Sequence, residues 1–252
     1  MMDHIPVMDR IPMTDHTPMT DHKTMSQHEH AQDIVLLASA SPRRSELLNQ
    51  IKVKHLVIHV PAGPGEDEPR LPGEPPLEYV QRTAYDKSER ASRWIQTSDA
   101  QQQLSVRSAS SSARSRTDPA FKGTADHQPI ILSADTTVCI GNDIMGKPQD
   151  VADARLILKR LSGTTHLVHT AVVVCRGAQR WSAISTTEVV FAALSNEELE
   201  RYIASGEPFG KAGAYGIQGL AATFVKQIKG SYSGVMGLPL YETAQLLNKA
   251  RS

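Results

Sequence analysis

Asp135 closes the apolar run in "PIILSAD", where a buried strand would end. A carboxylate there is costly unless it is paired or used. Ligand sites of open α/β sheets gather outside the carboxyl ends of strands, so Asp135 is a candidate to hold a divalent ion or activate water. Upstream, "IVLLASASPRRSELL" passes from a strand through Ser41 and Pro42 into a helix whose first turn carries Arg43 and Arg44. The positive end of the helix dipole disfavours two cations there, and an anionic partner is the natural compensation. The planar donor fork of arginine suits phosphate oxygens, and the N–H groups of a helix start add to an anion site. Lys147, fixed between Gly and Pro in "GKP", and Glu68, in the acidic loop "EDE", complete the set. Each alone has an ordinary reading as a surface ion pair, a turn or a solvated loop.

Together these residues describe a site for a polyphosphate. Cations neutralise phosphate oxygens. Asp135 and Glu68 position a divalent ion, which polarises a phosphoryl group and lowers the pKa of bound water. The chemistry is hydrolysis of a phosphoanhydride by positioning and electrostatics. The sequence contains no GxxxxGK[ST] phosphate loop, no HExxH or CxxC and no GxSxG elbow, which argues against Walker-type, zinc-protease and Ser-His-Asp chemistry.

The elements around these residues alternate. "DIVLLAS" and "VKHLVIHV" read as strands flanking the arginine-bearing helix. "PLEYVQRTAYDKSERASRWI" is an amphipathic helix, with Leu77, Val80, Ala84 and Tyr85 at helical spacing. "PIILSADTTVCIG" is a strand running into a turn, and "DVADARLILKRLSG" is a helix with acidic residues first and basic residues last. "THLVHTAVVVCRG" and "AQRWSAISTTEVVFAAL" alternate like paired strands, and Ser195 and Glu198 stand at capping-box spacing. A Gly-punctuated segment and a closing helix follow. This order predicts an α/β fold with a mixed sheet.

Two segments depart from it. Residues 1–32 carry an approximate Met-Asp-His-Pro repeat and read as a disordered low-complexity leader before a domain over 33–252. Residues 97–128 are rich in Ser, Gln and Arg and read as a disordered insertion. Lys+Arg and Asp+Glu balance at 27 each, which argues against a nucleic-acid or membrane-surface binder. The expected setting is soluble and cytoplasmic, with Cys139 and Cys175 as buried free thiols.

With these motifs in place, the sequence resembles the Maf family of nucleoside triphosphate pyrophosphatases, once named as septum-formation inhibitors. The matching stretches are "LLASASPRRSELL", "EDEPRLPGEPPLEYVQRTAYDKSERA", "SADTTVCIGNDIMGKPQD", "LSGTTHLVHTAVVV" and "FGKAGAYGIQGLAATFVKQIKGSYSGVMGLPLYET", in family order. The resemblance implies an elongated Maf/ITPase-like α/β fold with a mixed sheet flanked by helices and a nucleotide cleft between two lobes. It implies hydrolysis of a nucleoside triphosphate to the monophosphate and pyrophosphate with a divalent cation, Mg²⁺ or Mn²⁺. By match to the family motifs, Asp135 is the general base or metal-linked carboxylate, Glu68 supports metal and water, and Ser41, Arg43, Arg44, Lys87 and Lys147 line the phosphate site. Thr136 and Gln218 occupy positions tied to base selectivity.

The "KAGAYGIQG" version resembles the subgroup acting on dTTP and UTP, with modified pyrimidine nucleotides alongside them. The amide of Gln218 can accept from N3–H of uracil or thymine and donate to a carbonyl. Family likeness is compatible with a homodimer, which no residue pattern shows. The alternative reading is a nucleotide-binding regulator of cell division that acts by protein interaction, favoured only by the leader and the insertion.

Overall fold

The computed structural model describes residues 34–61, 68–110 and 128–252. The first elements are β1 (Val35–Leu37), α1 (Pro42–Gln50), β2 (His55–Val57), α2 (Pro76–Trp94) and α3 (Ser98–Ser110). Then come β3 (Ile130–Ile140), β4 (Asp143–Met145), α4 (Val151–Leu161), β5 (Thr165–Arg176), β6 (Gln179–Phe191) and α5 (Asn196–Ala204). Two short 3₁₀ turns, Ala212–Ala214 and Leu220–Phe224, lead into β7 (Val225–Lys229), α6 (Tyr232–Met236) and α7 (Leu240–Arg251).

The strands form one mixed sheet in the order β2-β1-β3-β5-β6-β7, with β4 paired to β3. β1 runs parallel to β2 and β3, and the other pairs are antiparallel. The expected mixed α/β architecture is therefore present. The long strand β3 organises the site. One of its edges is shared, because β1 pairs with Ile130–Leu132 and β4 with Val138–Ile140. Between them, at Asp135 and Thr136, that ladder is interrupted, and a cleft opens against the middle of β3.

Strand alternation sends neighbouring residues to opposite faces. On one face, Ile130, Leu132 and Ala134 join Leu47, Leu48, Leu238 and Leu247 of α1 and the α7 region. Further along, Val138 joins a second cluster containing Leu158, Leu161, Phe191, Leu199 and Phe224. Two apolar clusters thus lie on either side of the interrupted ladder. α2 covers the opposite face of the sheet. Its buried stripe is Val80, Thr83, Ala84, Ser88 and Ala91, whereas Leu77 and Tyr85 are exposed. The register shift has a physical reason. Two polar residues of α2, Thr83 and Lys87, turn inward because Asp135 lies beneath them.

Helix ends follow local chemistry. Asp150 caps α4 by accepting from the Asp153 N–H, and Ser195 and Glu198 form a reciprocal capping box on α5. Both cysteines are buried and free. The leader over 1–32 lies outside the described residues. At the start of the segment read as an insertion, Ser98–Ser110 is helical, and Ala100 and Leu104 are buried, Leu104 beside Leu36, Ile58 and Ile131. Two apolar residues one turn apart anchor it to the domain. The rest of that insertion, residues 111–127, lies outside the described residues. No helix among the described residues is long and apolar enough to cross a membrane.

Candidate active site

The cleft encloses about 420 Å³ and is lined by all nine residues singled out from sequence, Ser41, Arg43, Arg44, Glu68, Lys87, Asp135, Thr136, Lys147 and Gln218. Its size suits a small-molecule ligand. They come from six separate stretches of chain, brought together because β1 and β4 both leave the middle of β3 uncovered.

Asp135 is 5 % exposed. Its Oδ1 accepts from Lys87 Nζ at 2.6 Å and its Oδ2 from the Thr83 hydroxyl at 2.9 Å. Lys87 and Thr83 stand one turn apart on α2, so one helix face orients both oxygens. The same ammonium also pairs with Glu68. The loop around Glu68 is pinned to α2 twice, by the Tyr79 hydroxyl donating to the Glu68 carbonyl at 3.2 Å and by Arg82 donating to the Pro69 carbonyl at 2.9 Å. Arg82 is itself locked on Glu74 through two bonds of 2.6 and 2.8 Å. Two carboxylates thus converge on one cationic position. That oxygen pair fits a hard divalent ion. No group of three or more His, Cys, Asp or Glu suited to a metal occurs among the described residues. Such an ion would therefore take the rest of its shell from water and ligand phosphates, as Mg²⁺ commonly does.

The two arginines have separate positions. Arg44 turns inward, and its fork donates to the Gly237 carbonyl at 2.8 Å, the Ser39 hydroxyl at 2.9 Å and the Thr136 hydroxyl at 3.2 Å. These bonds tie α1 to β3 and to the start of the closing segment. They use three of five N–H donors, leaving two for a ligand. Burial pushes the Arg44 pKa down, Asp135 opposes this, Arg43 adds to the fall, and Glu68 also opposes it. Arg43 makes no hydrogen bond or close ion pair among the described residues, and burial lowers its pKa against the pull of Glu46. Ser41 stands at the N-cap of α1, but its hydroxyl makes no capping bond.

Thr136 points to the face opposite Asp135. Besides accepting from Arg44, its Oγ1 lies 3.0 Å from Thr170 Oγ1, which lies 2.8 Å from the Gly234 carbonyl. Its hydroxyl is therefore committed within the arginine cradle. Lys147 and Gln218 line the cleft from exposed positions, so a bound ligand would have to bury the Gln218 amide before reading from it. The Lys147 turn is held to the opposite rim by the Gly213 N–H donating to the Gly146 carbonyl at 3.0 Å.

Three further lining residues carried no local signal in the sequence: His59, Arg90 and Lys211. Lys211 donates to the Glu207 carbonyl. Its pKa is lowered by burial first and then by Arg43, with Glu207 opposing. Among the described residues the cleft gathers six cationic side chains, Arg43, Arg44, Lys87, Arg90, Lys147 and Lys211, against two carboxylates, Glu68 and Asp135. In a chain of zero net charge this is a strong local excess. Low-dielectric walls concentrate its field on an anion.

A family model described as Maf-like protein matches residues 34–250. The chain is 50% identical over 214 residues to a dTTP/UTP pyrophosphatase of Bordetella avium (strain 197N), covering 85% of this chain and 94% of that protein. It is 47% identical over 223 residues to a dTTP/UTP pyrophosphatase of Cupriavidus pinatubonensis (strain JMP 134 / LMG 1197), covering 87% and 98%. A dTTP/UTP pyrophosphatase of Ralstonia nicotianae is 46% identical over 217 residues, covering 85% and 92%.

Proposed function

The chain belongs to the Maf-like protein family, and from that premise we propose that it is a nucleoside triphosphate pyrophosphatase acting on dTTP and UTP. The observation that carries this reading is the cleft itself. One buried carboxylate, Asp135, is oriented by Thr83 and Lys87 within an enclosure whose other charges are mostly cationic.

In this reading the triphosphate lies among Arg43, Arg44, Lys147 and Lys211, which neutralise its oxygens. Asp135 accepts a proton from water as the water oxygen attacks the α-phosphorus. The bond from that phosphorus to the bridging oxygen of the β-phosphate breaks. The nucleoside monophosphate and pyrophosphate leave, and the proton on Asp135 returns to solvent. Glu68 and Asp135 would hold the divalent ion, Mg²⁺ or Mn²⁺, whose chemistry is to offset phosphate charge and acidify bound water. Gln218 would read the pairing edge of uracil or thymine from the rim. Modified pyrimidine nucleotides fall within the same edge chemistry. We propose further that it works in the cytoplasm as a homodimer, with its nucleotide substrate as partner rather than membrane or nucleic acid. The regulator reading rests on the 1–32 and 97–128 segments. The described part of these, α3, packs on the domain core, and no observation carries that reading further.

The test is pyrophosphate release from a nucleotide panel with Mg²⁺ or Mn²⁺. Wild type should favour dTTP and UTP, and Asp135→Asn should lower kcat by about 10²–10⁴-fold. Absence of metal-dependent release, or full activity in the variant, refutes the reading.

A further inference from the structure

We propose that Glu207 is a positioning residue for base selection, anchoring the loop that presents Gln218 and Lys211 to the cleft. The inference rests on the reading of Gln218 as the base-facing side chain. Glu207 follows α5, just outside the cleft, and is half-buried. Its Oε2 accepts from the Leu220 N–H at 2.8 Å. Its Oε1 accepts from the Tyr202 hydroxyl at 2.9 Å and lies 3.4 Å from the Ala221 N–H. Its backbone carbonyl accepts from the Lys211 ammonium. One residue therefore fixes both ends of the segment running from Lys211 to Ala221.

The segment between them is closely fitted. Gly219 donates its N–H to the Gly216 carbonyl at 3.0 Å, folding the chain back immediately around Gln218. A Cβ on Gly219 would stand 2.4 to 2.5 Å from the Glu207 carboxyl group. Glycine is therefore what lets the backbone approach the anchor. A Cβ on Gly216 would meet the Lys211 stem at 3.1 Å and Gln218 Oε1 at 3.6 Å. The two presented side chains thus share one floor. Tyr202 is buried against Phe224 in the core, so the far side of the anchor is rigid. Gln218 itself has no hydrogen bond among the described residues and lies exposed. Its placement follows from its backbone, which is held before it by the buried Tyr215 and Ile217 and after it by the Glu207 carboxylate at Leu220 and Ala221. The variant Glu207→Gln would be nearly isosteric, but whichever way its amide turned, the N–H₂ would face a backbone N–H, that of Leu220 or that of Ala221, where the carboxylate accepts from both.

The experiment measures kcat/KM for dTTP, UTP and dCTP, with Mg²⁺, in wild type, Glu207→Gln, Gly219→Ala, Gln218→Ala and the double variant Glu207→Gln/Gln218→Ala. Circular dichroism and thermal melts accompany each. Cytosine reverses the donor and acceptor at the edge Gln218 would read. The expected result is that Glu207→Gln lowers the preference for dTTP over dCTP by about tenfold. Gly219→Ala should give the same selective loss with the carboxylate still present, so the inference is tested even if Glu207→Gln folds poorly. In the Gln218→Ala background, Glu207→Gln should cause no further loss of preference. A general structural defect would instead lower all substrates equally and leave the ratio intact, which would overturn the proposal. If Gln218→Ala abolishes the preference while Glu207→Gln and Gly219→Ala both retain it, the positioning role fails and the function stands. If wild type shows no preference between dTTP and dCTP, the reading of Gln218 fails and the proposal with it.

Discussion

Replacing Lys87 with methionine probes the charge arrangement at the centre of the cleft. The Lys87 ammonium serves both Glu68 and Asp135, standing 2.6 Å from Asp135 Oδ1. Methionine keeps most of the stem and its packing but removes the charge. Two opposing effects follow. The protein no longer desolvates an ammonium, which favours the variant. Two neighbouring carboxylates lose their common cation, which disfavours it. The second effect prevails, because breaking a buried pair from one side costs about 3–5 kcal/mol. The side chains of Lys87 and Glu68 retain 19 and 22 % exposure, against 8 % for Asp135. This partial access to water sets the expected loss at the lower end, about 3 kcal/mol at neutral pH. For a domain of this size the Tm falls by about 6–12 °C.

Urea denaturation followed by circular dichroism measures the loss, first with a chelator and then with excess Mg²⁺. An ion that binds only the folded state stabilises it by mass action. In Lys87→Met the two carboxylates have no competing ammonium, so Mg²⁺ should restore more stability to the variant than it adds to wild type. The kcat should fall as well, because Asp135 loses one of its two orienting bonds. A loss below about 0.5 kcal/mol in chelator, typical of an unremarkable surface change, would refute the charge argument. So would equal gains from Mg²⁺ in both proteins.

Three other perturbations give distinct outcomes. Burial pushes the His166 imidazole down to about 4, below its unfolded value of about 6.5. The folded state thus binds this proton less readily, so the associated stability is complete above the unfolded value and is lost as pH falls from there through 4. The change amounts to about 3 kcal/mol at most. His166→Gln should flatten that acid limb in urea midpoints measured across the range. Leu104→Ala should weaken the docking of α3 against Leu36, Ile58 and Ile131 by about 2–4 kcal/mol, seen as faster amide hydrogen exchange over residues 98–110. Gly213 has φ +71°, and an added Cβ would lie 2.9 to 3.0 Å from the Val138 side chain. Gly213→Ala should therefore lower stability by about 2–4 kcal/mol through backbone strain and overpacking and raise KM, since Val138 lines the cleft. Thermal melts and steady-state kinetics check both effects.

The chemistry-bearing residues were legible where local rules isolate them. Asp135 stands out because a carboxylate interrupts an apolar strand, and the Arg43-Arg44 pair because it opposes the helix dipole. The capping box at Ser195 and Glu198 formed as its spacing predicts. Other features lacked such contrast. Lys211 follows a glycine in a turn, which is ordinary composition, and only its approach to Arg43 and the other cleft cations gives it meaning. Glu207 is one acid among many until its carboxylate is seen taking N–H groups from the loop after Gln218. α3 resembled low-complexity chain because only Ala100 and Leu104 of its described side chains are buried. Its packing partners, Leu36, Ile58 and Ile131, lie far away in sequence.

The sequence by itself determined the alternation of strands and helices, the turn at Ser41–Pro42 and the chemical character of the site, because periodicity, capping and charge are properties of short stretches. Tertiary structure decided which of two adjacent arginines would serve as an internal tie. Successive helix residues diverge by about 100°, and only the position of Gly237 and Thr136 beside α1 turns Arg44 inward. It also decided that Lys87 would stand between Glu68 and Asp135. That contact depends on α2 crossing the face of β3 where β1 and β4 leave the strand uncovered, a relation among separate elements that no local pattern encodes.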